Sequence, residues 1–300
     1  MATTLITGGS GLVGMRLTHL LLEAGHRVRL LGRSGRADAA VPLFLWNIER
    51  GTVDARALEG VDHIIHLSGA GIADKRWTPA RKDVLLASRV ASAELLLREA
   101  QRSGAWPKTF ISASGVNYYG TATSDRIFKE EDPAANDFLG KLCRAWEQAA
   151  DQWMPHCRVV KMRTAVALAT AGGALPKLVA PARWGLAAPL GTGKQWMPWV
   201  HIEDLARAYL HVIRDAGMSG AYNVAAPEDV RNGDFTRELA NALHRPYFLP
   251  NIPAFALRTL LDGPAGMVLE GSRVSNAKLL ESGFAFTYPR LKPALEQLLG

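Results

Sequence analysis

A chain of 300 residues with 48% hydrophobic and 21% charged side chains has the size and composition of a globular enzyme, one large domain plus a smaller one. Its formal charge of +7 does not mark a nucleic-acid binder, because the 35 Lys and Arg are scattered, with no run of four and no interleaved aromatic stripe. Cys143 and Cys157 give neither a disulfide framework nor a metal-ligand pattern, no 18-residue apolar run appears, and the N-terminus lacks a signal-peptide core, so a soluble, cytoplasmic protein with reduced thiols is expected.

Short apolar strands alternate with helical patterns through the first half, the rhythm of a parallel sheet with right-handed crossovers. Strands are expected at residues 3–7, 27–31, 43–46, 62–67, 107–113 and 157–163. Leu12-Val13, Leu17 and Leu20-Leu21-Leu22 mark an amphipathic helix closed by Gly25; residues 79–103 mark a long helix, and a third runs from about Asn136 to Trp153. After Arg163 the texture changes, as Gly172-Gly173, Pro176, Pro181, Gly185, Pro189, Gly191 and Gly193 punctuate loop and short helix. Residues 203–214 read as helix and 221–224 as a strand returning to the sheet. Beyond them, 232–299 read as short helices broken by prolines.

The turn Thr7-Gly8-Gly9-Ser10-Gly11-Leu12-Val13-Gly14 joins the first strand to the first helix. In this pattern Gly8 permits the tight turn, Gly11 lets the backbone approach a pyrophosphate, and Gly14 lets helix pack closely on strand. Backbone amides from Ser10 to Val13 then face an anion at the helix N-terminus. Where an acidic residue would meet the ribose of NAD, the second strand instead ends in Gly32-Arg33-Ser34, followed by Arg36. A charge-assisted contact from Arg33 to a 2′-phosphate contributes roughly 1.5–3 kcal/mol, about a 10- to 100-fold preference for NADP. These features place the chain in the α/β class. A Rossmann-type doubly wound parallel sheet is expected over residues 1–165 plus about 200–225, with a smaller, mainly helical C-terminal substrate lobe from about 166–199 and 226–300.

Several further motifs carry a resemblance: His66-Leu67-Ser68-Gly69-Ala70, Ala73-Asp74-Lys75-Arg76-Trp77, Ser88-Arg89, Ser112-Ala113-Ser114 with Tyr118-Tyr119-Gly120, Pro189 to Trp196, and Trp199 to Leu205. With the glycine turn they resemble the extended short-chain dehydrogenase/reductase superfamily. Within it, they resemble the sugar-epimerase-like family sometimes labelled a cell-division inhibitor. Ser272-Arg273-Val274, Gly283-Phe284 and Tyr288-Pro289 resemble that family's C-terminal module. The resemblance implies NADP on a Rossmann-type sheet and a substrate held between the sheet and the C-terminal lobe. It also implies that Leu67, Ser68 and Gly69 pass the adenosine side of the cofactor.

Reductases of the superfamily orient a substrate oxygen with a Ser or Thr hydroxyl, exchange its proton through a Tyr phenol, and use a Lys to lower the phenol pKa and hold the nicotinamide ribose. Ser114 matches the hydroxyl position. In the helix that carries Tyr-x-x-x-Lys, Lys141 stands near the expected place, with Asp137 four residues earlier in place of Tyr. Tyr118 and Tyr119, in the loop after the fifth strand, are the nearest replacement phenols, although each reads more readily as a packing aromatic or a substrate contact than as an acid. Arg89 reads as a pyrophosphate contact or a solvated helix charge. His66 reads as a buried, hydrogen-bonded strand end, and His201 as a structural residue before a helix. Arg183, Gln195, Trp196 and Trp199 read as a cleft wall that stacks a sugar ring, or as lobe packing.

The expected function is that of an NADP-dependent oxidoreductase or epimerase acting on a small polar substrate, sugar-like or carbonyl, as a monomer or homodimer with no metal. The alternative is an NADP-binding redox-sensing or regulatory protein without ordinary reductase turnover, a reading that Asp137 favours.

Overall fold

The computed structural model describes residues 1–35 and 41–300, so Arg36 lies outside the described residues. Eight strands form the main sheet: β1 (Thr3–Thr7), β2 (Arg27–Gly32), β3 (Leu43–Asn47), β4 (Thr52–Val53), β5 (His63–His66), β6 (Thr109–Gly115), β8 (Arg158–Thr164) and β11 (Gly220–Val224). Between the last of these lie β7 (Ile127–Phe128), β9 (Val166–Leu168) and β10 (Trp199–His201), and β12 (Arg273–Val274) follows them. The sheet order is β11-β8-β6-β5-β1-β2-β3-β4, parallel except for the β3–β4 edge pair. β1 is buried along its whole length, as a central parallel strand covered on both faces must be. Strand order reverses between β1, which leads outward to β2, and β5, which leads outward to β6. That reversal opens a crevice at the carboxyl ends of the strands, where an α/β sheet receives its ligand.

The helices α1 (Leu12–Glu23), α2 (Pro79–Ser103) and α3 (Phe138–Asp151) cover the sheet near this crevice. Their ends follow from sequence. Thr78 caps α2 by accepting from the Arg81 amide, Pro79 occupies its first turn, and Gly104 closes it at φ 67°. His201 caps α5 (Ile202–Arg214), its Nδ1 accepting from the Glu203 amide, which fulfils its structural reading. A second core gathers Leu168, Trp199, Phe235 and Leu291 around α4 (Leu175–Arg183), α6 (Asn232–Ala242) and α10 (Leu291–Leu299). The chain between α6 and α10 holds α7 (Ala254–Leu261), α8 (Gly266–Leu269) and α9 (Ala277–Glu281). β12 pairs with β7, so the loop after β6 is stitched to this C-terminal stretch. No helix of the described residues is long and apolar enough to cross a membrane.

His66 ends β5 wholly buried, its Nε2 2.8 Å from Ser92 Oγ on α2. Burial, with the Arg89 charge adding to it, lowers its pKa to about 3. The unfolded imidazole titrates near 6.5. The folded state therefore resists a proton that the unfolded chain accepts, and stability supplied above pH ~6.5 is lost as pH falls toward 3, at about 1.4 kcal/mol per unit. Urea unfolding at pH 6, 5 and 4 is expected to show His66→Asn losing stability less steeply than the wild type; parallel slopes would refute the assignment.

Candidate active site

The glycine turn is shaped by contacts that leave no room for side chains. Gly8 sits at φ +68°, and a Cβ there would stand 3.0 Å from the Leu67 carbonyl carbon. At Gly14 a Cβ would lie 2.5 Å from the Gly8 carbonyl oxygen and 2.6 Å from Gly9 Cα. Gly11 is the N-cap of α1 and supplies no side-chain acceptor, and the first turn of the helix carries no acidic residue. The amides that open α1 are thus left for an external anion. Thr7 Oγ1 accepts from the Leu67 and Ser68 amides at 3.2 Å each, tying the loop after β5 to the turn after β1. A dinucleotide pyrophosphate fits this cradle. Gly32 ends β2 and Arg33 follows it, exposed, on the side of β1 away from β5.

On the other side of the crevice the arrangement departs from the expected one. Ser114 is not a free hydroxyl: it is buried and donates to Glu147 Oε1 at 2.7 Å. Ser114 lies opposite Arg163 in the β6–β8 register, and α3 lowers Glu147 onto that face. The guanidinium of Arg163 clasps Glu147 through Nε at 2.8 Å and Nη2 at 2.9 Å, while Nη1 donates to Tyr119 Oη at 2.8 Å and to the Glu130 carbonyl. Burial works against the Arg163 charge, but the Glu147 bonds outweigh it and hold the pKa above its ordinary value.

Tyr119 is likewise no candidate acid. It is 3% exposed, donates to Asn223 Oδ1 at 2.8 Å, and burial raises its pKa. Tyr118 is different: half-buried in the short helical turn that follows β6, it lies beneath the Arg163 guanidinium, 3.6 Å from ring centroid to Cζ.

Lys141 is exposed on the outer face of α3, away from the sheet. Asp137 is the N-cap of that helix, accepting from the Gly140 amide at 2.7 Å and from the Thr121 amide and hydroxyl, so its carboxylate is committed to the cap. Leu139 and Cys143, two residues further along and also spaced by four, do face inward. Cys143 Sγ would stand 3.8 Å from a Cβ on Gly115, at the tip of β6, and burial raises its thiol to about 12. The register of the helix therefore turns Leu139 and Cys143 inward in place of Asp137 and Lys141, and puts the Cys143 thiol at the tip of β6.

Arg89 is buried on α2, donating to the Leu85 and Ala70 carbonyls at 3.0 and 3.1 Å, with Cζ 4.8 Å from the Trp146 ring. The expected cleft wall is mostly packing. Trp199 is wholly buried in the second core, and Gln195 is buried with its amide nitrogen donating to the Leu190 and Val268 carbonyls. Guanidiniums of Arg231 and Arg273 stand 4.0 and 4.8 Å from the Trp196 ring, which is thereby engaged. Arg183 ends α4, exposed, beside Leu175, Val179 and Leu299. Glu147, Arg163 and Cys143 escaped the sequence reading, although one signal was present for Arg163: a charge at the end of the apolar run Val159-Val160 and Met162.

Comparison with known proteins agrees with this architecture. Residues 4–225 match the NAD dependent epimerase/dehydratase family, and residues 252–298 match a domain of unknown function, DUF1731. The epimerase family protein YfhF of Bacillus subtilis is 33% identical, the alignment covering 98% of this chain and 97% of that protein. The epimerase family protein Mb2239 of Mycobacterium bovis is 38% identical over 98% of this chain and 96% of its own. Among solved structures, the human epimerase family protein SDR39U1 with NADPH superposes at a TM-score of 0.89 with 30% identity, covering 99% of each chain. A nucleoside-diphosphate sugar epimerase from Corynebacterium glutamicum superposes at 0.80 with 31% identity, covering all of this chain and 58% of that one. With a Rossmann-type sheet, a glycine cradle at its switch point and these matches along its length, this chain belongs to the NAD dependent epimerase/dehydratase family.

Proposed function

We propose that the protein binds NADP(H) in the β1/β5 crevice and acts as an oxidoreductase or epimerase on a small polar substrate, sugar-like or carbonyl. It does so in the cytoplasm, as a monomer or homodimer, without nucleic acid or metal. The observation that carries this reading is the cradle itself, in which Gly8 and Gly14 admit no Cβ and the α1 amides lack a capping side chain. Exposed Arg33 beyond β2 supports the 2′-phosphorylated cofactor, as does the NADPH in the human relative's structure. Ser68 and Gly69 border the same crevice. Tyr118 is the phenol left for proton exchange, since Tyr119 and Ser114 are bound into the Arg163 network.

The presence of Leu139 and Cys143 at the inward positions of α3 favours a second reading, an NADP-binding sensor or regulator without ordinary turnover. A screen of carbonyls and sugars followed by NADPH absorbance separates the two. Under the first reading a substrate turns over, and Tyr118→Phe lowers its kcat at least about a hundredfold, the share of a general acid. Tight NADPH binding with no turnover across the screen would establish the second.

A further inference from the structure

Arg89 is the buried cation that the fold leaves without a counter-charge. It is 8% exposed, and among the described residues no carboxylate pairs with it. Two backbone carbonyls and the Trp146 ring hold it. Burial, with Arg81 repelling it, lowers its pKa. A guanidinium kept in such a place is costly unless something further meets it.

Its position says what that is. From edge to centre the sheet runs β3, β2, β1, β5, β6, so the crevice has Arg33 over β2, the glycine turn over β1, and the Gly69 turn over β5. Arg89 borders the Gly69 turn on its α3 side, in the seam between α2 and α3 beside Trp146. A Cβ on Gly69 would come 3.0 Å from its Cζ, and its charge acts on the Cys143 thiol. If the 2′-phosphate lies at Arg33 and the pyrophosphate at the glycine turn, the β5–β6 end receives the nicotinamide half. Cys143 occupies the inward α3 position there, so the helix offers no cation of its own, and Lys141 faces outward.

We propose that Arg89 holds the nicotinamide-side ribose of NADP(H), supplying from α2 the positive charge that the superfamily's lysine supplies from α3. This rests on the reading that the crevice takes NADP(H). It assigns Arg89 to the far end of the cofactor and not to the pyrophosphate.

The test compares NADPH with 2′,5′-ADP, a fragment that reaches only the β2–β1 half, by fluorescence and calorimetric titration of the purified protein. Arg89→Gln, which keeps an amide donor for the carbonyls and removes the charge, is expected to weaken NADPH roughly ten- to a hundredfold and to change 2′,5′-ADP by less than about twofold. Equal losses for both ligands would assign Arg89 to the pyrophosphate side and overturn the proposal. No loss for either would leave it a helix-packing residue and also overturn it. If Arg89→Gln fails to fold by circular dichroism, the double variant Arg89→Gln/Cys143→Lys restores the cation from α3. A folded double variant is expected to bind NADPH within about fivefold of the wild type, and one that does not refutes the assignment. Failure of the wild type to bind either ligand would instead refute the NADP(H) reading on which this one stands.

Discussion

A Gly14→Ala variant is expected to lose about 3 kcal/mol of stability and to bind NADPH more than about a hundredfold more weakly than the wild type. A methyl group at position 14 meets backbone and not a flexible side chain: the Gly8 carbonyl oxygen at 2.5 Å, Gly9 Cα at 2.6 Å and the Gly9 carbonyl carbon at 2.9 Å. Neither partner can rotate away. Either α1 lifts from β1, giving up the packing of fully buried Leu17 and Leu21, or the turn opens and Gly8 leaves its left-handed conformation. Both responses misdirect the amides that face the anion, so the two losses should appear together. Gly25→Ala is the control, since its Cβ would meet nothing within 4 Å and only its φ of +79° opposes the change. Urea unfolding and an NADPH titration check the prediction. A Gly14→Ala protein that bound cofactor as the wild type does would show that the turn is merely close-packed.

The first half of the fold was legible because its signals are local. Apolar runs bounded by turn residues located β1, β2, β3, β5, β6 and β8 to within two residues, and the long helix read at 79–103 is α2, its ends fixed by Thr78-Pro79 and Gly104. The short strands were not legible. β7 and β12 are two residues each, and their pairing joins positions 146 apart, which no window along the chain contains. The site divides in the same way. The cradle is a backbone property set by three glycines, so spacing reveals it. The chemistry beyond it depends on which side of α3 each residue faces. Lys141 stands two residues from inward-facing Cys143, about 200° of helix rotation, which makes it a surface charge. Asp137 explains the misreading physically, since an acid suited to an N-cap stood where a phenol was sought. Ser114 was expected just past a strand ending at residue 113 and lies within β6, and its partner Glu147, 33 residues away, reaches it only through tertiary packing.

Arg163 supports the larger of the expected stability effects. Arg163→Met should cost about 3–5 kcal/mol, because it leaves Glu147 as a buried, unpaired carboxylate. The side chains of Arg163 and Glu147 are 4% and 6% exposed, and among the described residues Ser114 then remains the only side-chain donor to Glu147. Tyr119 Oη loses its donor as well, and the Glu130 carbonyl loses another. The loss extends beyond β8, since Tyr119 bonds Asn223 on β11 and Asn223 in turn donates to the Ser275 carbonyl, just past β12. The network thus fastens the tip of β6, where Tyr118 is presented, to the C-terminal segment that closes against it. The double variant Arg163→Met/Glu147→Leu removes both charges and should recover more than half of the lost stability, since a buried ion pair replaced whole by apolar groups costs little. Urea unfolding of the two variants measures this directly. Equal instability of the single and double variants would mean that the clasp acts through its remaining bonds to Tyr119 and Glu130, and not through the charge of Glu147.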